Sequence, residues 1–210
     1  MTGGPWLSLF VGSVLLLAGG VVRATDGPAL YAACVACHGS KAEGSAATKA
    51  PALAGQDAAY LRRQLQNFRT GLRGTHPLDT LGAQMRASVA TLKDDASIES
   101  VAAHVAALPR TVVKPAAGAD LRNGNNLYHG KCGACHGGRA EGNPALNAPR
   151  LAGLDAAYLK RQFAHFRDGV RGAHKDDRPG RQMGLMAKTL PGERDLDDVI
   201  AFIHVQGQAK

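Results

Sequence analysis

Two short clusters carry the chemistry-bearing residue types of this chain. Cys34-Val35-Ala36-Cys37-His38 and Cys132-Gly133-Ala134-Cys135-His136 both read C-x-x-C-H, and together they hold all four cysteines. On a helical turn, residues i and i+3 share a face and i+4 lies beside them. Two thioether bonds from such a pair can pin a porphyrin edge while the next histidine swings beneath the iron. C-x-x-C-H is the attachment signature of c-type haem, so two covalently attached haem c groups are expected. A zinc site would need four ligands each, and no second cysteine pair accompanies either cluster. A thioredoxin-type pair would want a βαβ setting. A disulfide would leave His38 and His136 unexplained.

An iron held by histidine needs a sixth partner or keeps an open position. Beyond residue 24 the chain has three methionines, Met85, Met183 and Met186. Met85 and Met183 each stand 47 residues after their histidine, in Gly82-Ala83-Gln84-Met85 and Gly180-Arg181-Gln182-Met183; Met186 is matched by Ser88. Met85 and Met183 are therefore the expected sixth ligands, and Met/His ligation raises the potential. His76 and His174 are the competing ligands, and either would lower it.

The elements that must position these groups are written twice. PALAGQDAAYLRRQLQNFRTGLRGTH from Pro51 returns as PRLAGLDAAYLKRQFAHFRDGVRGAH from Pro149, an offset of 98 that also relates Cys34 to Cys132 and Met85 to Met183. From Cys34 to Met85, 31 of 52 positions match their partners, so the chain is a tandem duplication. Upstream of the cysteines the offset slips by one, Tyr31 standing against Tyr128. The expected organisation is residues 1–24 as an export segment, domains at 25–108 and 119–210, and a Pro- and Ala-bearing linker at 109–118. The pattern is helical throughout. Asp57 can cap a helix to about Leu72 with Leu61, Leu65, Phe68 and Leu72 on one face; Asp155 begins its copy. Asp94/Asp95 and Asp195 precede a last helix in each half, and a short helix holding Leu30/Tyr31 or Leu127/Tyr128 precedes each cysteine pair.

The motifs C-x-x-C-H-G, A-P-x-L-A-G, A-A-Y-L-x-x-Q, F-R-x-G-x-R-G and the late methionine make each half resemble a class I cytochrome c. Together the halves resemble the dihaem cytochrome c4 family over residues 26–207. The resemblance implies an all-α fold of two tandem domains about a pseudo-twofold axis, with haem propionates meeting near it. It also implies that the carbonyls of Pro51 and Pro149 accept a hydrogen bond from the haem histidines; a plain turn proline is the alternative. The G-x-Q-M stretches are poorer in proline than that family's pattern. Arg69, Arg73, Arg167 and Arg171 can neutralise propionates or form a solvated helix face. Tyr60 and Tyr158 can bond a propionate or serve as core aromatics.

Composition fits this reading. Aromatics make up 5% of the chain and glycine 26 of 210 residues, so each domain is short of large core side chains until a porphyrin is counted. Leu7–Val22 is a short apolar run followed by Val22-Arg23-Ala24, the pattern of a cleaved secretory signal, with an uncleaved membrane anchor as the alternative. Removing it leaves a net charge of +7, most of it in the second half. That charge suits an acidic redox partner, peripheral association with an anionic membrane, or solubility alone. Nucleic acid and small-molecule substrates are not expected.

The expected function is that of a periplasmic electron carrier rather than an enzyme, between a quinol-cytochrome c reductase type donor and a terminal oxidase or reductase. The alternatives are a cytochrome subunit of a larger enzyme such as flavocytochrome sulfide dehydrogenase, a dihaem peroxidase, or a gas-binding haem module. The last two need an open iron position.

Overall fold

The computed structural model describes Met1 and residues 26–208, so the export segment expected at 1–24 lies, Met1 apart, outside the described residues. The first unit comprises α1 (Gly27–Tyr31), a 3-10 turn (Ala32–Cys34), α2 (Val35–His38), α3 (Ala58–Thr70), α4 (Thr80–Val89) and α5 (Asp95–Ala107). The second comprises α6 (Leu121–Lys131), α7 (Gly133–His136), a 3-10 turn (Pro144–Leu146), α8 (Ala156–Arg167), α9 (Arg178–Ala187) and α10 (Glu193–Gln208). Among the described residues the only extended pairing is two isolated bridges, Ser45–Ala50 and its repeat Asn143–Ala148. The all-α expectation holds. No described helix is long and apolar enough to cross a membrane.

Aspartates start most of the helices. Asp57 and Asp155 accept from the N–H groups of Tyr60 and Tyr158, each at 2.8 Å, and Asp94 accepts from Ser97 N–H at 2.7 Å. Each satisfies an amide that the first helical turn leaves free. The helix expected to run to about Leu72 stops at Thr70, because Gly71 takes the left-handed conformation at φ 81° and closes it. The last helix of the second unit begins at Glu193, two residues before Asp195. Helices α4 and α9, which bear Met85 and Met183, were not foreseen. They are capped by the buried Asp79 and Asp177, which accept from Gly82 and Gly180 N–H at 2.9 and 3.0 Å.

The one-residue slip upstream of the cysteines has a geometric answer. Tyr31 precedes Cys34 by three residues and Tyr128 precedes Cys132 by four. The first interval is wound as a 3-10 turn, and the second continues as α-helix, with Cys132 N–H bonded to Tyr128 C=O at 2.7 Å. A 3-10 turn closes in three residues and an α-turn in 3.6, so both tyrosines reach the same place. Tyr31 Oη donates to Gly39 C=O at 2.7 Å and Tyr128 Oη to Gly137 C=O at 2.6 Å. Each hydroxyl thus pins the turn that follows C-x-x-C-H. Burial, then the nearby Cys34, pushes the Tyr31 phenol up to about 12, so this donor keeps its proton across the working pH range.

The first and last helices of each unit cross closely, α1 on α5 and α6 on α10. The crossings are made at Gly27 and Gly124, where an added Cβ would press on the carbonyls of Ser100 and Asp198. Ile98, Val101 and Val105 fill the first core with Tyr31, while Val199, Phe202 and Ile203 fill the second with Tyr128. Gly124→Ala is expected to lower stability by about 1–3 kcal/mol, the usual cost of forcing extra atoms into packed backbone. Thermal melts of the holoprotein read this. An unchanged melting temperature would show that α6 can move off α10 without penalty.

Candidate functional site

Each unit holds a large cavity open to solvent; counted out into the solvent at its mouth, the space is about 1380 Å3 in the first and 1410 Å3 in the second. Cys34, Cys37, His38, Pro51 and Met85 line the first; Cys132, Cys135, His136, Pro149 and Met183 line the second. All four cysteines are free of disulfides. The residues that sequence spacing singled out are therefore brought together twice. His38 and His136 are buried, and each places Nδ1 2.9 Å from a proline carbonyl, Pro51 and Pro149 respectively. A carbonyl only accepts, so Nδ1 carries the hydrogen and Nε2 presents its lone pair to the cavity, the tautomer a metal-ligating histidine needs. Burial lowers both imidazole pKa values and the proline carbonyl partly offsets this; the neutral, ligating form is the favoured one.

The remaining expected residues divide sharply. Tyr60, Tyr158, Arg73 and Arg171 lie at the cavities, Arg73 lining the first and Arg171 the second. Arg69 pairs with Asp95 and Arg167 with Asp168, and neither lines a cavity. Both project from the outer side of α3 and α8, so for these two the solvated-face alternative describes the structure. His76 and His174 also lie outside both cavities, in exposed loops where their Nδ1 atoms accept from Leu78 and Asp176 N–H at 3.2 Å. Met186 lines the second cavity beside Met183, as Ser88 lines the first beside Met85.

The two cavities share a wall. Tyr60, Gln64, Tyr158 and Gln162 line both. Within it Arg73 Nη1 donates to Gln64 Oε1 at 2.9 Å and Nη2 to Gln162 Oε1 at 3.1 Å. Arg171 Nη1 donates to Gln162 Oε1 at 2.7 Å and Nη2 to Gln64 Oε1 at 2.9 Å. The four side chains close a ring across the pseudo-twofold axis, each glutamine accepting from one arginine of either unit. Each guanidinium also stacks 4.4 Å over a phenylalanine of its own unit, Phe68 or Phe166. Gln64 and Gln162 entered the sequence reading only as the last residue of A-A-Y-L-x-x-Q, with no role assigned. The available signal was that both are retained in the repeat while standing on the apolar side of their helix, three residues after Leu61 and Leu159.

Further contacts join the units outside the ring. Arg63 reaches over the second cavity to Asn147 Oδ1 and C=O, at 2.7 and 2.6 Å; its repeat Arg161 reaches over the first to Lys49 C=O at 2.8 Å. Gln56 and Arg150 exchange two bonds, Nε2–H to C=O at 2.9 Å and N–H to Oε1 at 3.0 Å.

These cavities fit a haem with ionised propionates. The walls are apolar, with Leu61, Leu65, Val101 and Val105 in the first and Leu159, Phe163, Val199 and Ile203 in the second. Two guanidiniums sit between them with no carboxylate in their ring. Arg73 Nε and Arg161 Nε, both at the first cavity, are buried without a hydrogen-bond partner. Buried unpaired donors of this kind call for an anion.

Two attachment sites on a duplicated helical chain define a dihaem c-type cytochrome. The cytochrome c family model matches residues 24–109 and again 121–206. Cytochrome c4 of Azotobacter vinelandii is 34% identical over 162 residues, 70% of this chain and 74% of that one. A thiosulfate dehydrogenase electron acceptor of Stutzerimonas stutzeri (strain A1501) is 35% identical over 198 residues, 85% of this chain and 86% of that one. Among solved structures, reduced recombinant cytochrome c4 from Pseudomonas stutzeri superposes with a TM-score of 0.69 at 27% identity, covering 85% of this chain and 95% of that one. Thiosulfate dehydrogenase from Marichromatium purpuratum gives 0.64 at 27% identity, with 84% of this chain but 39% of that one covered. The chain belongs to the cytochrome c family, as a dihaem member of its cytochrome c4 branch. It carries two covalently attached haem c groups and acts in electron transfer.

Proposed function

We propose that the protein is a periplasmic single-electron carrier, not itself an enzyme, moving electrons from a quinol-oxidising complex to a terminal oxidase or reductase. In this reading Cys34, Cys37, Cys132 and Cys135 anchor the haems, and His38 with Met85 and His136 with Met183 hold the irons. The domains span 25–108 and 119–210, and residues 1–24 direct export. The observation that carries it is that each cavity is lined both by the histidine of its C-x-x-C-H and by the methionine 47 residues later. Haem iron supplies reversible one-electron exchange when bound. The chain's own residues do the rest. His38 and His136 are kept neutral and oriented by proline carbonyls. The apolar walls exclude water and so limit reorganisation, and the Arg–Gln ring holds the two sites face to face.

The relatives named as thiosulfate dehydrogenase electron acceptors favour a second donor. A thiosulfate-oxidising enzyme could feed the same carrier without altering its site. Stopped-flow reduction of the oxidised holoprotein distinguishes the two, using a purified quinol-cytochrome c reductase in one arm and a thiosulfate dehydrogenase with thiosulfate in the other. Rapid reduction in either arm, followed by reoxidation on adding oxidase-containing membranes, is the expected result. Failure to pass electrons onward from either donor would remove the carrier reading.

A further inference from the structure

The repeat allows the two cavity mouths to be compared residue by residue, and they are unlike. Helix α9 is the wall that brings Met183 to the second cavity. Its Arg178, Arg181 and Leu185, continued by Lys188 at its C-terminal cap, are spaced i, i+3, i+7 and i+10 and form one exposed stripe. The same positions on α4, the wall of the first cavity, are Thr80, Ala83, Ala87 and Ala90, all exposed. A basic and apolar stripe thus replaces a nearly featureless one.

The rim continues the contrast. Leu146 and Met186 line the second cavity and remain 50% and 37% exposed, and Leu185 is 70% exposed. Their first-cavity counterparts are Thr48, Ser88 and Ala87. Lys131 lines the second cavity where the first has Ala33, Lys49 lines the first where the second has Asn147, and exposed Arg86 on α4 stands where α9 has Gly184, so the basic contrast between the mouths is carried by the α9 stripe. None of Arg178, Arg181, Lys188 or Lys131 has an ion-pair partner among the described residues. No acid lies on α9, and the two acids before it are engaged. Asp177 is buried as its cap, and Asp176 lies beside His174 and Lys175.

We propose that the second-domain mouth is the docking port for an acidic redox protein. The partner sets an apolar contact around its own redox centre against Leu146, Leu185 and Met186, and carboxylates around that contact against Arg178, Arg181, Lys188 and Lys131. The first domain then exchanges electrons internally across the shared wall. This rests on the carrier reading. Charge calls for an acidic partner, and the placement of the apolar side chains favours a protein over a lipid surface. The larger exposed apolar side chains among the described residues include no aromatic, and two of them, Leu146 and Met186, line the second cavity with Leu185 next to Met186, which places the redox centre at the contact rather than in bulk lipid headgroups. One electron crosses per encounter and no bond forms or breaks.

The test uses reduced holoprotein and an acidic plastocyanin as the probe, its cupric centre taking the electron as a ferrous haem becomes ferric. The stripe variant Arg178→Thr/Arg181→Ala/Leu185→Ala/Lys188→Ala carries the first-domain residues, so helix α9 keeps side chains that α4 already tolerates. The bimolecular rate of the wild-type protein is expected to fall steeply with salt. The variant should lose about tenfold at low ionic strength, within the range electrostatic steering provides, and its salt slope should flatten. The reciprocal variant Thr80→Arg/Ala83→Arg/Ala87→Leu/Ala90→Lys should gain rate. A stripe variant with unchanged rate and slope overturns the proposal. So does a variant that keeps its rate with plastocyanin while losing only its binding to phosphatidylglycerol vesicles, which would mark the stripe as a membrane contact. Oxidation by tris(phenanthroline)cobalt(III), a small cation needing no docking, separates the two levels. If neither form reacts with it, the carrier reading itself has failed. If both react and plastocyanin shows no difference, the port alone has.

Discussion

Replacing Met85 or Met183 by alanine is expected to lower the potential of the haem in that unit on the order of a hundred millivolts, a fraction of the roughly 0.8 V over which axial ligands tune haem iron. A neutral thioether favours the ferrous state more than water or hydroxide does, so its loss favours the oxidised form. Because each methionine sits on its own capped helix, α4 or α9, alanine leaves the wall standing and opens one coordination position. The substituted haem should then bind carbon monoxide when reduced, and the other should not. Near the methionine the two units differ: Met186 lines the second cavity, whereas Ser88 takes its place in the first. Met85→Ala therefore reads the effect without a neighbouring sulfur. A titration in which Met85→Ala leaves both potentials and the carbon monoxide response unchanged would mean that Met85 is not a ligand.

The second large effect is expected at the ring between the cavities. Arg171 is 9% exposed, and its guanidinium spans Gln162 of its own unit and Gln64 of the other. An arginine stays charged at any working pH. A buried cation beside a haem favours the reduced state, which carries one positive charge less. Arg171→Leu should therefore lower the potentials by tens of millivolts, corresponding to an interaction on the order of 1 kcal/mol at the effective dielectric of protein sites. It should also loosen the join between the units, because Tyr60 loses this donor while Gln64 and Gln162 keep only their bonds from Arg73, and a hydrogen bond to a charged group is worth about 1.5–3 kcal/mol. Arg171→Lys separates the two roles. It keeps the charge but not the planar fork, so the potentials should stay near wild type while haem-to-haem exchange and thermal stability still fall. If leucine and lysine behave alike in every readout, the ring acts by shape and its charge is idle.

Much of this arrangement was legible before any coordinates. The C-x-x-C-H pairs, the 98-residue offset and the paired methionines are local or periodic signals, and each names a residue type with one chemistry. Aspartate caps at Asp57, Asp94 and Asp155 could be read because capping acts within three residues. Helices α4 and α9 could not. Both are ten residues long and contain glycine, and α4 has almost no apolar period; α9 does set apolar against basic residues, but its Pro179 and two glycines argue against helix by propensity. The arginines were ambiguous for a different reason. Arg69 and Arg73 are both basic, retained and four apart, yet one meets Asp95 at the surface and the other enters the ring. What separates them is Gly71, where the helix ends and the chain turns back toward the axis. The partners of Arg73 include Gln162 of the other unit, 89 residues away. Repetition reveals that a residue is kept in both halves, but not that the halves keep it for one another.

The most direct test of the central claim, two six-coordinate His/Met haems exchanging single electrons, is a spectroscopic redox titration of the holoprotein, followed by exposure of the reduced form to carbon monoxide. The account predicts two one-electron steps, the weak far-red band of methionine-ligated ferric haem accounting for both centres, and no carbon monoxide adduct. A missing far-red band at either centre, or rapid binding of carbon monoxide to the reduced wild-type protein, would contradict it.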